Sequence, residues 1–304
     1  MNRFMIGVNE SLCTACDTCA RECSTGKTRF TQGTGDCTGC LHCYTVCPAN
    51  AITVRNGSVL EASRRGSPIG FEELKAFLAS RMSTRRFLPE EPSAATLDRL
   101  VDAARHTPSG GNRRAHELTI LPRGPTRDLL LAQLKRTYAK RSLLLNSPLL
   151  RTVLRPFVGS YVRAFLGDHE YAGRISAVLA KLRQGKDPIF YGAPMAIFFH
   201  SRVLVPTPKE DCVIAAYALA LSAHASGLGT CFVTLAQSAV NASRACKEIL
   251  GLSRQDNVHA VLLVGHPAVR FLKPAPRPPL RVRTVGGGIG AQREPGTAPR
   301  SLST

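Results

Sequence analysis

Two runs of cysteine open this sequence. Cys13, Cys16, Cys19 and Cys23 form one C-x2-C-x2-C-x3-C run, and Cys37, Cys40, Cys43 and Cys47 form a second, offset by 24 residues. They account for eight of the eleven cysteines in a chain of 304 residues. Thiols packed this densely serve disulfides, zinc or iron–sulfur clusters. Disulfides fit poorly, because the opening MNRFMIGVNE lacks the apolar core of a secretory signal peptide. Zinc sites pair two C-x2-C units across a longer spacer, four ligands to an ion. Two runs with three ligands each at two-residue gaps fit cubane clusters instead, with three thiolates on a tight loop capping three corners.

Over about residues 5 to 58 the stretch resembles the two-[4Fe-4S] ferredoxin family, and CPANAITV at Cys47 to Val54 is similar to its second-cluster ending. The resemblance implies that the fourth cysteine of each run crosses to the other cluster. One cluster then takes Cys13, Cys16, Cys19 and Cys47; the other takes Cys37, Cys40, Cys43 and Cys23. Ser24 stands where proline follows the fourth cysteine in that family, which removes no ligand. Residues 1–60 carry five Lys/Arg against four Asp/Glu, unlike the acidic free ferredoxins, and so suggest a built-in relay.

A cluster delivers one electron at a time, so its partner must handle both one and two electrons, as flavin does. A flavin mononucleotide site needs cations or amides for the phosphate and donors near the ring. Three stretches supply such groups: SRMSTRRF with Arg81, Ser83 and Arg85; TPSGGNRR with Pro108, Ser109, Gly110 and Asn112; and FLKPAPRPPLRV with Lys273 and Arg277. Singly, each reads equally as a solvated helix end, a plain turn or ordinary surface.

In this order and spacing they resemble the nitroreductase family of FMN-dependent oxidoreductases, over about residues 71 to 283. The resemblance implies that Arg81, Ser83, Arg85 and Arg277, with Lys273, hold the FMN phosphate and ribityl chain. It implies that Pro108, Ser109, Gly110 and Asn112 lie over the flavin from a partner subunit, in a homodimer. HASGLGTCFVTL is similar to the family's helix-to-loop segment, which implies that backbone at Thr234 and Leu235 approaches the ring. GAPMAIFFHS and VLLVGHP are similar to its core strands. NRRAHEL departs from the family's N-x-Q-P-W-x-F, and Met82 replaces a basic or polar residue.

Other candidates read blandly. Cys212, Cys231 and Cys246 lie among apolar residues and are expected as small core hydrophobes. His42 sits between cluster ligands, while His200, His224 and His266 show no metal-ligand spacing. No Ser-His-Asp set or carboxylate pair suggests acid–base work, so reduced flavin itself is the expected reagent.

The elements that must position these groups follow from pattern. Residues 61–70, EASRRGSPIG, read as a linker. FEELKAFLASR predicts a helix with a stripe of Phe71, Leu74, Phe77 and Leu78. SAATLDRLVDAARH predicts another, capped by Ser93, with Leu97, Leu100 and Val101 inward. HELTILP, MAIFFHS and HAVLLVGHP predict strands, and DCVIAAYALALSAHASGLG an Ala-rich helix ended at Gly227 and Gly229. The expected architecture is α+β: a small ferredoxin-like domain at 1–60, then a nitroreductase-like domain at 71–283 with a central sheet flanked by helices. Residues 284–304 are too poor in apolar side chains to fold alone and read as a flexible tail.

The formal charge is +19, with thirteen Lys/Arg against three Asp/Glu between Arg123 and Lys186. A solvated helical face is the plain reading of that segment; the alternatives are an acidic redox partner or anionic ligand and, behind these, an anionic membrane surface or nucleic acid. No nucleic-acid motif accompanies the charge, and no apolar run reaches membrane-spanning length. Clusters and free thiols suit a reducing cytoplasm. The expected function is electron passage from a donor, an acidic ferredoxin or flavodoxin, through both clusters to FMN, which reduces a small organic acceptor of the nitro, quinone or enone class. Two alternatives stand: NAD(P)H reduces the flavin and the clusters carry electrons outward, or the chain is a non-catalytic electron-transfer or redox-sensing module.

Overall fold

The computed structural model describes residues 5–23, 25, 37, 39–55, 69–154, 168–202, 206–282 and 285. The duplication seen in the cysteines recurs in the backbone. Strand β1 (Met5–Val8) pairs antiparallel with β2 (Ile52–Arg55), Val8 opposite Ile52. Between them lie two short helices, α1 (Thr18–Arg21) and α2 (His42–Val46), which start 24 residues apart. The residues that cap them, Asp17 (φ 55°) and Leu41 (φ 66°), are left-handed, as are Ala15 (φ 54°) and Gly39 (φ 66°) one ligand earlier. Three of these four are not glycine, and each left-handed residue of that kind costs about 1–2 kcal/mol. Such strain persists where surrounding constraints over-determine it. The same left-handed pair recurs in both loops.

The second part is built on a four-stranded antiparallel sheet. Helix α3 (Phe71–Ser80) and α4 (Ala94–Arg105) lead into β3 (Glu117–Pro122), followed by α5 (Pro125–Asn146), α6 (Pro148–Leu154) and α7 (His169–Arg183). Strand β4 (Met195–Arg202), α8 (Pro208–Ala225), β5 (Gly229–Phe232), α9 (Thr234–Asn241), α10 (Arg244–Ile249) and β6 (Asp256–Gly265) complete it, with strand order β3-β4-β6-β5. The central strands carry apolar runs, residues 195–199 in β4 and 260–264 in β6, where both faces are covered. Along β4, Ala196 and Phe198 face a core shared with α5, α7, α9 and α10. Ile197 and Phe199 face the opposite core, against α4 and α8. The period of two that alternates side chains across a strand divides them so.

Helix α8 is Ala-rich where it lies flat on the sheet: Ala215, Ala216, Leu219, Ala220 and Ala223 are all fully buried. It ends in a Schellman motif, with Leu228 N–H bonded to Ala223 O (2.8 Å) and Gly227 N–H to His224 O (3.0 Å). Gly227 takes φ 74°, the left-handed position at which glycine carries no Cβ penalty.

Three expectations need correction. The α3 stripe does not face a core: Phe71 is 75% exposed, Leu74 and Leu78 are also exposed, and only Phe77 is half-buried. On α4 the inward stripe runs through Leu100 and Ala104, while Val101 lies at its edge and is exposed. Gly229 does not end the helix; it begins β5, which the sequence reading took as loop. The expected linker lies outside the described residues except Ile69 and Gly70, as does Ser24, and so does the expected tail except Val285.

Among the described residues of the basic segment most cations are exposed, but Arg127 is 4% exposed. Its guanidinium donates to the carbonyls of Leu121 (2.8 Å), Pro194 (2.7 Å) and Ala193, locking the start of α5 to the β3–β4 edge. Burial pushes its pKa down to about 10, which leaves it charged at neutral pH.

His200, in β4, is 4% exposed. Its Nε2 meets Thr119 Oγ1 at 2.9 Å and its Nδ1 has no hydrogen-bond partner among the described residues. Burial holds its pKa below the ordinary 6.5, and burial does the same to His116 and His259. The fold keeps these rings neutral, whereas the unfolded chain takes up protons as pH drops below about 6.5. Stability present above that pH is therefore lost on acidification. The urea midpoint is expected to fall between pH 7.5 and 5.5, and His200→Gln should flatten that slope. An unchanged slope in the variant assigns the pH dependence to other groups.

Candidate functional site

The first thiol cage closes through topology. Cys47 caps α2 in an extended conformation, Pro48 cannot continue the helix, and β2 then returns along β1. The hydrogen bond from Asn9 N–H to Ala51 O (2.7 Å) ties that return to the entrance of the first loop. As a result Cys47 joins Cys13, Cys16 and Cys19 in lining one small cavity, walled by Val8, Ala51 and Ile52. These are the four cysteines that the ferredoxin resemblance assigns to one cluster. Two donors aim at the sulfurs: Ala51 N–H at Cys47 Sγ (3.3 Å) and Thr18 Oγ1 at Cys16 Sγ (3.4 Å). The Thr18 hydroxyl holds the Cys16 thiol below its ordinary pKa. Hydrogen bonds of this kind favour the thiolate that ligates iron.

The second run gathers similarly. Burial pushes the Cys43 thiol up, and nearby Cys40, Cys37 and Cys19 add repulsion, so these thiols share one neighbourhood. Cys23 Sγ lies 3.3 Å from Thr25 Oγ1. Among the described residues, no three His, Cys, Asp or Glu side chains converge tightly enough to hold a single ion. The cavity and the paired left-handed turns fit a cluster.

The Arg81–Arg85 segment leaves α3 and docks on β5, the edge strand of the sheet. Ser83 bridges Thr230 in parallel, and Thr84 N–H donates to Thr230 O (2.8 Å). The approach is close: a Cβ on Gly229 would stand 2.5 Å from Thr84 Oγ1 and 2.8 Å from its Cβ. Gly229→Ala is therefore expected to cost about 1–3 kcal/mol through overpacking. It should also speed amide exchange at Thr84; unchanged stability and exchange would mean that Thr84 shifts aside freely.

Around this segment stand residues to which the sequence reading gave no part in a site. Burial raises the Cys231 thiol, opposed by the charges of Arg85 and Arg81 and by hydrogen bonds from Ser83 and Arg85, which puts Cys231 against all three. As expected, it is buried along with Cys212 and Cys246. His224 meets Ser80 Oγ at 2.7 Å and the Phe77 ring at 5.0 Å. Burial lowers its pKa, and Arg81 lowers it further. Thr234 and Leu235 open α9 just beyond β5, in the first turn of the helix, where amide groups lack intrahelical acceptors. Helix starts of this kind favour negative charge.

The P-S-G-G-N loop lies elsewhere. Gly110 N–H donates to Asp211 Oδ1 (3.0 Å), which Thr207 Oγ1 also approaches (3.0 Å). Asp211 is 4% exposed and sits in the first turn of α8. Gly110 is obligatory there, since a Cβ would overlap the Thr207 side chain. His224, beside Ser80, is in the last turn of the same helix. Thirteen residues at 1.5 Å each put about 20 Å of helix between Asp211, which holds the loop, and His224, which stands beside Ser80. Pro108 is exposed, and Ser109 Oγ accepts from Arg114 N–H (3.0 Å). Lys273 and Arg277 are exposed on an extended stretch after β6. That stretch departs from bonds of Leu88 N–H to His266 O and Ala268 N–H to Arg86 O, both 2.9 Å. The fold thus gathers Arg81, Ser83, Arg85, Thr234 and Leu235 around β5, and among the described residues no hydrogen bond or ion pair ties Lys273, Arg277 or the P-S-G-G-N loop to them.

The sequence model of the nitroreductase family matches residues 78–266, well over half of the chain. The chain belongs to the nitroreductase family. A second model, of the 4Fe-4S binding domain, matches residues 33–53, which hold Cys37, Cys40, Cys43 and Cys47. Among solved structures, the nitroreductase with bound FMN from Desulfitobacterium hafniense DCB-2 superposes with a TM-score of 0.51 at 22% identity, covering 72% of this chain and 100% of that one. The nitroreductase with bound FMN from Bacteroides fragilis NCTC 9343 gives 0.50 at 17% identity, covering 70% and 99%. At these identities the likeness is one of fold. No curated protein sequence matches the chain. This nitroreductase-family chain is an oxidoreductase with a 4Fe-4S segment before its α+β sheet, and no helix among the described residues is long and apolar enough to cross a membrane.

Proposed function

We propose that the chain is an iron–sulfur flavoprotein in which residues 1–60 carry two [4Fe-4S] clusters and residues 71–283 bind FMN, joined by a linker at 61–70. The observation that carries the reading is the cavity where Cys47 joins Cys13, Cys16 and Cys19 ahead of a nitroreductase sheet. The second cluster takes Cys37, Cys40, Cys43 and Cys23. Arg81, Ser83 and Arg85 hold the FMN phosphate by charge-assisted hydrogen bonds. The start of α9 sets Thr234 and Leu235 amides against the ring, where they favour its reduced, anionic form. Lys273 and Arg277 close on the phosphate side, and Pro108, Ser109, Gly110 and Asn112 come from a second copy in a homodimer.

When bound, FMN supplies the two-electron chemistry that iron–sulfur clusters lack. The residues of the chain hold it, exclude water from it and bring one-electron carriers within reach. The donor is a reduced ferredoxin or flavodoxin, which the basic surface attracts; the acceptor is a small nitro, quinone or enone compound. A reducing cytoplasm keeps the thiolates available.

Protein purified without oxygen is expected to contain about eight iron, eight sulfide and one FMN per chain. Anaerobic titration should then show flavin bleaching and acceptor turnover with reduced ferredoxin alone. A colourless protein, or a brown one without flavin, overturns the reading. Turnover with NADPH and none with ferredoxin reverses the direction of electron flow.

A further inference from the structure

The cluster-binding loop of the second run touches the P-S-G-G-N loop directly. Asn112 Nδ2 donates to the carbonyl of Gly39 at 2.6 Å. Gly39 lies between the ligands Cys37 and Cys40. Arg114 Nε donates to Asn112 Oδ1 at 3.2 Å, which leaves the amide NH₂ as the group presented to Gly39. The loop is held in this shape by left-handed residues, Gly111 (φ 57°), Asn112 (φ 52°) and Arg114 (φ 48°), and by the bond from Asn112 N–H to Ser109 O (2.9 Å). Its base is fixed to α8 through Gly110 and buried Asp211. A continuous chain of contacts therefore runs from α8 to the Cys37–Cys43 loop.

That contact is at the opposite end of α8 from the chain's own Arg81–Arg85 segment, about 20 Å away by helix rise. Electron transfer rates fall exponentially with distance, so the route depends on which copy's Arg81–Arg85 segment lies nearer this contact.

We propose that electrons cross between subunits: the Cys37–Cys40–Cys43 cluster, docked through Gly39 on Asn112 of its own chain, serves the flavin held by the Arg81–Arg85 segment of the other copy. This rests on the proposed cluster-and-FMN dimer and adds the order of the relay. The Cys13–Cys16–Cys19–Cys47 cluster becomes the outer one, facing the external one-electron donor. Each transfer returns a reduced cluster to its oxidised state. Two transfers and one proton from solvent bring the oxidised isoalloxazine to its two-electron-reduced anion.

Mixed dimers distinguish the routes. One pairs a Cys40→Ser chain with an Arg81→Ala, Arg85→Ala chain. The other pairs a wild-type chain with a chain carrying all three substitutions. Each is isolated anaerobically through two different tags, counted for iron and flavin, and mixed with reduced ferredoxin in a stopped-flow spectrometer. Transfer between subunits predicts that the flavin bleaches in the first dimer and stays oxidised in the second. The reverse pattern, bleaching in both, or bleaching in neither while wild type bleaches, overturns the proposal. Wild-type protein lacking iron or FMN instead removes the underlying dimer reading.

A second measurement needs no turnover. Asn112→Asp keeps the acceptor for Arg114 but sets a carboxylate oxygen against the Gly39 carbonyl. Amide exchange over residues 107–114 and 39–43 of the anaerobic holoprotein should speed up together in this variant. Exchange unchanged from wild type shows that Asn112 does not dock the cluster loop.

Discussion

Replacing Cys47 with alanine is expected to remove about half of the iron and sulfide from the protein. Cys47 is the one residue of the second run that lines the cavity of the first, and it arrives there through the β2 return. Without it, three thiols face a position that water or buffer must fill. The identity of the lost cluster tests the crosswise ligand set. If Cys47 serves the first loop, then adding Cys13→Ala to Cys47→Ala removes nothing further, while adding Cys40→Ala removes the remaining iron. Substitutions that strike one centre do not add, and those that strike independent centres do. The opposite result, with Cys40→Ala silent on the Cys47→Ala background, would show that each run binds its own cluster. Ligation is also folding energy where a site is built by the metal. The Cys47→Ala variant should therefore expose the β1–β2 ribbon to proteolysis and leave the sheet centred on β4 intact.

How much of this was legible beforehand follows from the range of the forces involved. The cluster loops could be read because a cubane fixes both the type and the spacing of its ligands within a dozen residues. Strands β4 and β6 could be read because helices cover both faces of the sheet, so every side chain from Ala196 to Phe199 is apolar. Helix α8 was legible from its alanines, which let it lie flat on that sheet. The stripe on α3 was legible as a helix, but periodicity reports an apolar face without reporting what covers it. Strand β5 was missed because four residues of edge strand carry little periodicity, and its Gly229 reads like a helix terminator. Its reason for being glycine is Thr84, far away in sequence. Asp211 was missed for the same cause: Gly110 and Asp211 are 101 residues apart, and a carboxylate in a first helical turn is expected there on dipole grounds alone. Cys231 was correctly placed in the core, yet its neighbours Arg81, Ser83 and Arg85 were invisible until the segment docked. The order Arg-x-Ser-x-Arg carried the resemblance, while the residues that fix its position left no local trace.

That segment sets the other large expected effect. Arg81→Ala combined with Arg85→Ala should weaken FMN binding by about 100- to 10,000-fold, from charge-assisted hydrogen bonds worth about 1.5–3 kcal/mol each and about 1.4 kcal/mol per factor of ten. The two contributions should differ. Arg81 is half-buried beside His224, whereas Arg85 is exposed and its interaction is screened by solvent. Arg81→Ala alone should account for the larger share, and added salt should weaken wild type more than the double variant. Arg81→Lys keeps a point charge but loses the planar fork that binds two phosphate oxygens, so partial recovery is expected. Two internal reporters accompany the change. Arg81 helps to hold the His224 pKa down and, with Arg85, opposes the rise of the Cys231 thiol. Removing both cations should let both values move up, measurable by titration of the apoprotein. The thermal transition of the apoprotein should hardly shift, since neither side chain is in the core. Titration of apoprotein with FMN, followed by quenching of flavin fluorescence, gives the affinities directly. Retention of wild-type affinity by the double variant would place the phosphate away from β5.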